Sequence, residues 1–250
     1  MSDLPPPVPA ATLILMREVP NSPPHILMME RSSDMAFAAG ALVFPGGRIE
    51  PQDERLAASF EEEDASARIA AVRETLEETG IAPAFSPAPD EGIAALIRRG
   101  LAEGRQFARL LAEHGLRLEL EALTPFARWC PNFKETRRFD ALFYLAEAPP
   151  GTLIATADKT EAVRAFWASA ADVLAELEAG RAQAIFPTRR NLERLARFAS
   201  IEEARADAAR HPVRTITPWV EERGGRKWVC IPDGIGYPVT AELLETARRA

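Results

Sequence analysis

Cysteine is nearly absent from this chain. Two residues in 250, Cys130 and Cys230, stand far apart, with no cysteine or histidine at metal-ligand spacing beside either. That argues against a zinc site, gives no support to a disulfide framework, and leaves both as buried thiols. Histidine is scarce as well. His25, His114 and His211 are scattered through polar surroundings, so each is read as structural. Basic residues are in deficit: 30 Lys and Arg against 37 Asp and Glu leave a net charge of -7 and a pI near 5.2. A surface for nucleic acid or for an anionic membrane is therefore not expected, since both require clustered cations. No apolar run approaches the roughly 20 residues of a membrane span, and the N-terminus lacks a basic stretch followed by an apolar core. The expectation is a cytoplasmic protein whose partner is a small molecule.

What is present suits an α/β protein with a real core, the chain being 47% hydrophobic. Leu4 to Ala10, with four prolines, reads as an extended lead-in. Short apolar runs at Ala11–Met16, His25–Glu30, Ala41–Phe44, Leu118–Trp129, Arg138–Ala146 and Ala162–Trp167 read as strands. Helical periods mark Ser66–Thr79, an inserted helix or helical pair at Gly92–His114, Ser169–Ala179 and Pro187–Phe198. Gly224-Gly225 between Thr215–Val220 and Lys227–Ile231 signals a hairpin. Strands mixed with helices in this order point to layers within one domain over 1–250, carrying insertions near 54–65 and 84–117 and a C-terminal extension over 187–250.

The chemistry concentrates in Arg73-Glu74-Thr75-Leu76-Glu77-Glu78-Thr79-Gly80-Ile81. On a helix, Glu74, Glu77 and Glu78 share one side, about 160° from the mean direction of Ile69, Val72 and Leu76. Three neighbouring carboxylates repel, and a helix C-terminus is electrostatically the wrong place for them. A divalent cation reverses both penalties, and magnesium-like ions take one or two carboxylates while leaving positions for water and phosphate oxygens. Glu77 and Glu78 suit that role. Glu74 either joins the metal shell or takes a proton from attacking water. The alternative reading is a solvated acidic helix face.

Upstream, Gly40 to Phe44 runs into Pro45-Gly46-Gly47-Arg48 and on to Asp53. Glycines there permit close backbone approach, and a loop carbonyl can ligate a metal. Between loop and helix, the run Glu61 to Asp64 is read as structural, with Ser59 and Glu62 as a capping box.

Loop and helix together resemble the Nudix box: Gly, five residues, Glu, seven residues, then Arg-Glu-apolar-any-Glu-Glu-any-Gly-apolar. Arg73, Glu74, Glu77, Glu78, Gly80 and Ile81 match its second half. Three positions depart: Gly47 and Arg73 are 26 apart where the pattern has 14, Asp53 stands for the upstream Glu, and Thr75 for an apolar residue. The resemblance implies an α-β-α sandwich with a mixed sheet and water-driven cleavage of a diphosphate in a nucleotide-derived substrate with Mg2+ or Mn2+. It places the Gly46 carbonyl with Glu77 and Glu78 on the metal, Glu74 as base or extra ligand, and Arg73 orienting it. Glu161 is the candidate for a further acid from a later loop. Homodimers are common in such proteins, and a homodimer is expected here on that ground alone.

Arg31, Ser32, Gly40 and Phe44 to Gly47 also resemble the signature of coenzyme A diphosphatases, with Ala36 where a second Arg is expected. The long insert, Phe186 to Leu192 and Pro232 to Tyr237 are similar to the large-insert branch that includes peroxisomal members, although Arg248-Arg249-Ala250 is no peroxisomal address. Arg31, Phe44 and Arg189 are thus candidate substrate contacts, with Arg189 and Arg190 either gripping phosphate or covering a helix start in solvent. Phe37, Trp129 and Phe139 are candidates for stacking on a base. A second class of reading is a nucleotide-sensing or protein-binding module on the same fold, and such relatives usually lose box carboxylates. All three are kept here.

Overall fold

The computed structural model describes residues 6–32, 39–132, 138–152 and 162–247. Its strands and helices follow one another as β1 (Val8–Val19), β2 (Ser22–Arg31), β3 (Leu42–Val43), β4 (Gly46–Arg48), α1 (Pro51–Ala57) and α2 (Ala65–Thr79). Then come β5 (Phe85–Ser86), α3 (Glu91–Ala102), α4 (Phe107–Glu113), β6 (Arg117–Leu118), β7 (Thr124–Trp129), β8 (Phe139–Glu147) and β9 (Ala162–Ser169). The remainder is α5 (Ala170–Glu178), α6 (Phe186–Leu195), α7 (Ile201–Arg210), β10 (Thr215–Ile216), β11 (Trp219–Arg223), β12 (Arg226–Cys230), β13 (Ala241–Leu243) and α8 (Leu244–Ala247).

Leu13-Ile14-Leu15-Met16 and Ile26-Leu27-Met28-Met29 are unbroken apolar quartets, the pattern of strands covered on both faces. They lie in β1 and β2 of an eight-stranded sheet ordered β10-β7-β8-β1-β2-β3, with β4 also on β1 and β9 on β2. The sheet is mixed: β1 runs parallel to β8 and antiparallel to β2 and β4. Successive strand side chains point to opposite faces. Leu13, Leu15, Leu27 and Tyr144 therefore meet Ile69, Val72 and Leu76 of α2 and the inner faces of α3 and α4. Ile14, Met16, Ile26 and Met28 meet Val173 of α5, Leu192 and Leu195 of α6 and Ile201 of α7. This is the mixed-sheet α-β-α sandwich. Each large aliphatic side chain buried between the layers contributes about 1.5–3 kcal/mol, so the two cores hold the sheet from both sides.

One topological detail positions the site. Since β8 takes one edge of β1 along Val8–Met16, the other edge is shared by β2, at Met16 to Val19, and β4, at Ala10 to Thr12. The segment Leu42–Arg48 fills the fork where β1 and β2 part.

Several local expectations need correction. Val8 to Ala10 already belong to β1 rather than to a lead-in. Part of the charged stretch after Arg48 is helix α1, started by Pro51 and by the Glu50 N–H donating to Asp53 Oδ2 at 2.9 Å. The Ser59–Glu62 capping box does not form: Ser59 Oγ donates to Leu56 O at 2.8 Å, closing α1, and Asp64 is the N-cap of α2. Leu118–Trp129 is broken by a 3-10 turn at Leu120–Ala122, whose neighbouring carbonyls Leu120 O and Leu123 O accept from Arg68 Nη1 at 2.8 and 2.6 Å. Helix α7 was not anticipated, although Ser200 Oγ accepts from Glu203 N–H at 3.1 Å and Glu203 Oε2 from Ala199 N–H at 2.7 Å, a reciprocal cap visible as Ser-x-x-Glu.

Candidate active site

Helix α2 carries the carboxylates. Its apolar side is locked into the first core, with Ile69, Val72 and Leu76 fully buried, so the opposite side must face the loop around β4. The helix stops at Gly80, whose φ of 74° is the left-handed conformation that glycine adopts without a Cβ penalty and whose N–H caps Leu76 O at 2.9 Å.

Arg73 is the hub. Its side chain is only 2% exposed, and it grips Asp53 with two parallel bonds, Nε to Oδ1 and Nη2 to Oδ2, each 2.9 Å. Nη2 also donates to Arg48 O at 3.1 Å, while Nη1 reaches Glu77 Oε1 at 3.1 Å and Glu74 Oε1 at 2.9 Å. One guanidinium thus ties together α1, the end of β4 and two carboxylates of α2. Burial works against its charge, but Asp53, Glu74 and Glu77 outweigh that and hold its pKa above the ordinary arginine value. Burial also lifts the Glu77 carboxyl above the usual carboxylate range. Arg73 pulls against the lift, and the nearby charges of Glu50 and Asp53 add to it.

Glu78 is buried and its Oε2 accepts from Gly46 N–H at 2.9 Å. Glu74 lies against Gly47: a Cβ there would sit 2.5 Å from both carboxylate oxygens. At Gly46 a Cβ would be 2.5 Å from Ala11 O and 2.7 Å from Thr12 Cα. The double glycine therefore has two separate reasons: Gly46 lets the loop lie on β1, and Gly47 lets Glu74 lie on the loop. Beside Glu77 is a cavity of about 390 Å³ between α1, α2 and the α3–α4 turn, with Gln52, Arg55 and Gln106 in its wall.

The structure thus brings Arg73, Glu74, Glu77, Glu78 and Gly46 into one place. The other candidates among the described residues are held by other partners. Phe44 is 4% exposed in the second core, edge-on to Phe143 with centroids 6.4 Å apart, so its ring is taken up by packing. Arg31 closes β2, its N–H bonded to Ala41 O at 3.0 Å, and its buried Nε has no hydrogen-bond partner among the described residues. Arg189 pairs with Glu193 at 3.4 Å and Glu242 at 3.8 Å. Arg190 is not in solvent at all: it is 1% exposed, 2.7 Å from Glu193 and 2.9 Å from Glu242, because β13 folds across α6. Trp129 is 1% exposed, its ring closed in by Phe186 and Tyr237, and Phe139 is half-buried. Glu161, Ala36 and Phe37 lie outside the described residues. Sequence reasoning treated Asp53 only as a departure from the pattern; its burial and two-pronged hold on Arg73 make it part of the site. Both cysteines are buried free thiols, and among the described residues no helix is long and apolar enough to cross a membrane.

An α-β-α sandwich whose glycine loop and helix are fastened through one buried arginine defines the class: the chain belongs to the NUDIX family, whose domain model matches residues 6–188. It is 28% identical to the human acyl-coenzyme A diphosphatase NUDT19 over 247 residues, covering 74% of this chain. The chain spans about 65% of the length of that curated relative. It also resembles the crystal structure of a NUDIX hydrolase from Alicyclobacillus acidocaldarius, with a TM-score of 0.72, 26% identity, and coverage of 82% of this chain and 97% of that one.

Proposed function

We propose that the protein hydrolyses a diphosphate linkage in a small nucleoside-diphosphate-linked substrate with the help of Mg2+ or Mn2+, and that coenzyme A or an acyl-coenzyme A is that substrate. The observation that carries the reading is the gathering of Glu74, Glu77 and Glu78 around Arg73 and the Gly46-Gly47 loop. The coenzyme A part draws on the similarity to the human acyl-coenzyme A diphosphatase.

The residues present fit a hard divalent cation. Their donors are all oxygen, they are mutually repulsive carboxylates on one helix face, and the loop beside them lacks the Cβ that would exclude Glu74. Among the described residues no three acidic, His or Cys side chains converge on one point as they stand; the carboxylates instead turn toward Arg73 and Gly46 N–H. Glu77, Glu78 and the Gly46 carbonyl would hold the ion, with Glu74 as a further ligand or as the base. When bound, the ion neutralises diphosphate charge and lowers the pKa of its water.

The chain's own residues do the rest. Asp53 fixes the plane of the Arg73 guanidinium, and Arg73 in turn sets where the Glu74 and Glu77 oxygens lie. Glu74, pressed against the loop, would in its role as base accept a proton from attacking water. The cavity beside Glu77 gives room for a part of the substrate flanking the diphosphate, and the Gln52 and Gln106 amides and the Arg55 guanidinium in its wall offer it polar partners.

The test is to incubate the purified chain with Mg2+ or Mn2+ and coenzyme A, acyl-coenzyme A, NADH, ADP-ribose, dinucleoside polyphosphates and nucleoside triphosphates, with Glu77→Gln as the blank and mass spectrometry as the readout. Metal-dependent release of 3',5'-ADP and phosphopantetheine from coenzyme A is the expected result. Cleavage of another member alone would replace the substrate, and silence across the panel would overturn the reading.

A further inference from the structure

The last turn of α2 is electrostatically awkward. It holds Glu77 and Glu78 and no basic residue, at the helix end where the macrodipole is already negative. A helix C-terminus also leaves four carbonyls without intrahelical partners. Gly80 N–H satisfies that of Leu76. Those of Glu77 and Glu78, the two residues proposed to hold the cation, are reached from outside the helix: Arg98 Nε donates to Glu77 O at 2.8 Å and Arg98 Nη2 to Glu78 O at 3.3 Å. Arg73 serves the side chains instead, donating to the Glu77 carboxylate as well as to Asp53.

Arg98 is delivered by a rigid support. It lies in α3, whose N-terminus is capped by Asp90 Oδ1 accepting from Ile93 N–H at 2.8 Å. The preceding residue, Ile97, is fully buried in the first core, and Gly100 packs so closely on Leu110 of α4 that an added Cβ would lie 2.6 Å from Leu110 Cδ2. The guanidinium therefore cannot leave the carbonyls by a drift of its helix. Two consequences follow from the geometry. The peptide groups at Glu77 and Glu78 are held, which aims their side chains. A fixed positive charge also stands at the helix end where two carboxylates must be kept before a cation arrives.

We propose that Arg98 is a positioning residue, a cationic brace from α3 that fixes the C-terminal turn of α2 and so sets the affinity of Glu77 and Glu78 for a divalent ion. The proposal rests on the function proposed above. It assigns to the segment between the box and β7 a role in the site itself, since this segment supplies the brace as well as part of the cavity wall.

The test is Mn2+ titration of the full-length chain followed by electron paramagnetic resonance, on wild type, Arg98→Gln and Arg98→Lys, with thermal unfolding of each in EDTA. Partners one shell out from a metal ligand commonly change affinity about 10- to 100-fold, and a loss in that range is expected for Arg98→Gln, with turnover recovering as Mn2+ is raised. Arg98→Lys keeps the charge and a single donor nitrogen in place of the guanidinium fork and recovers part of the affinity at the same unfolding temperature as Arg98→Gln. Unchanged Mn2+ affinity in Arg98→Gln would overturn the proposal. So would a loss that Lys does not relieve and that tracks the melting temperature of the metal-free protein, since that is what a purely structural contact gives. Failure of the wild type to bind Mn2+ would instead remove the function on which the proposal rests, a result visible before any variant is compared.

Discussion

Arg73 and Asp53, twenty residues apart in sequence, form a buried two-pronged ion pair with both bonds at 2.9 Å, and Asp53 is wholly inaccessible. Removing one partner of a buried pair costs about 3–5 kcal/mol where the charge left behind is unpaired; Arg73 would keep Glu74 and Glu77, so the loss falls toward the lower end of that range. Asp53→Ala is therefore expected to lower stability by that order in denaturant titration and to abolish turnover. Asp53→Asn, which keeps an acceptor but not the charge, should fall between the two. A wild-type unfolding midpoint for Asp53→Ala would refute the importance given to this pair.

Gly47→Ala separates activity from stability. The new Cβ collides with the tip of the Glu74 side chain, which can swing away at little cost to folding. A displacement of about 1 Å in a reacting group can cost on the order of 100-fold in rate, so turnover should drop steeply while the melting temperature barely moves. Gly46→Ala meets backbone at Ala11 and Thr12 instead; overpacking of this kind costs about 1–3 kcal/mol, and its main effect should appear in unfolding.

Glu77→Gln and Glu78→Gln are expected to retain the fold and lose nearly all metal-dependent turnover. The Glu78 variant keeps an oxygen for the Gly46 N–H, and the Glu77 variant removes a carboxylate whose charge is disfavoured by burial. Full activity in both would sink the carboxylate assignment; circular dichroism would show whether a loss is chemical or structural.

Tyr237 gives a pH prediction. Its hydroxyl accepts from Trp129 Nε1 at 3.2 Å and donates to Asn191 Oδ1 at 2.6 Å, and burial pushes its pKa up to about 12, with Arg194 pulling the other way. The unfolded phenol titrates near pH 10. With the folded value raised, the stability contribution is complete below pH 10 and is lost as pH climbs toward 12. Tyr237→Phe should thus be less stable than wild type by about 1 kcal/mol at neutral pH. The difference should close near pH 11, where ionisation of the unfolded phenol takes about 1.4 kcal/mol from the wild type. A gap constant from pH 7 to 11.5 would contradict this.

The parts of the fold written in local periodicity were legible. Glu74, Glu77 and Glu78 opposite Ile69, Val72 and Leu76 gave both the helix and its two faces, because a 3.6-residue period is a short-range property. Relations between distant segments were not legible. Nothing local announces that Arg98 will meet the end of α2, or that Asp53 will be buried against Arg73. Phe44 is a candidate substrate contact through its resemblance to the coenzyme A diphosphatase signature; that it lies two residues from Leu42, shares its inward face and is packed in the second core has no signal in the motif itself. Arg190 looked like a surface residue because the folding of Glu242 over α6 has no signal in the helix itself.

The glycine loop is stitched to β1 by pairing at Ala10, Ala11 and Thr12 and by Leu13 N–H bonded to Pro45 O at 2.9 Å. That strand runs through both cores, so the loop can open only if the sheet begins to unzip. In hydrogen-exchange terms its amides are expected to share the opening free energy of the interior rather than that of a surface loop. The floor beneath the carboxylates is therefore held as firmly as the strand it is paired to.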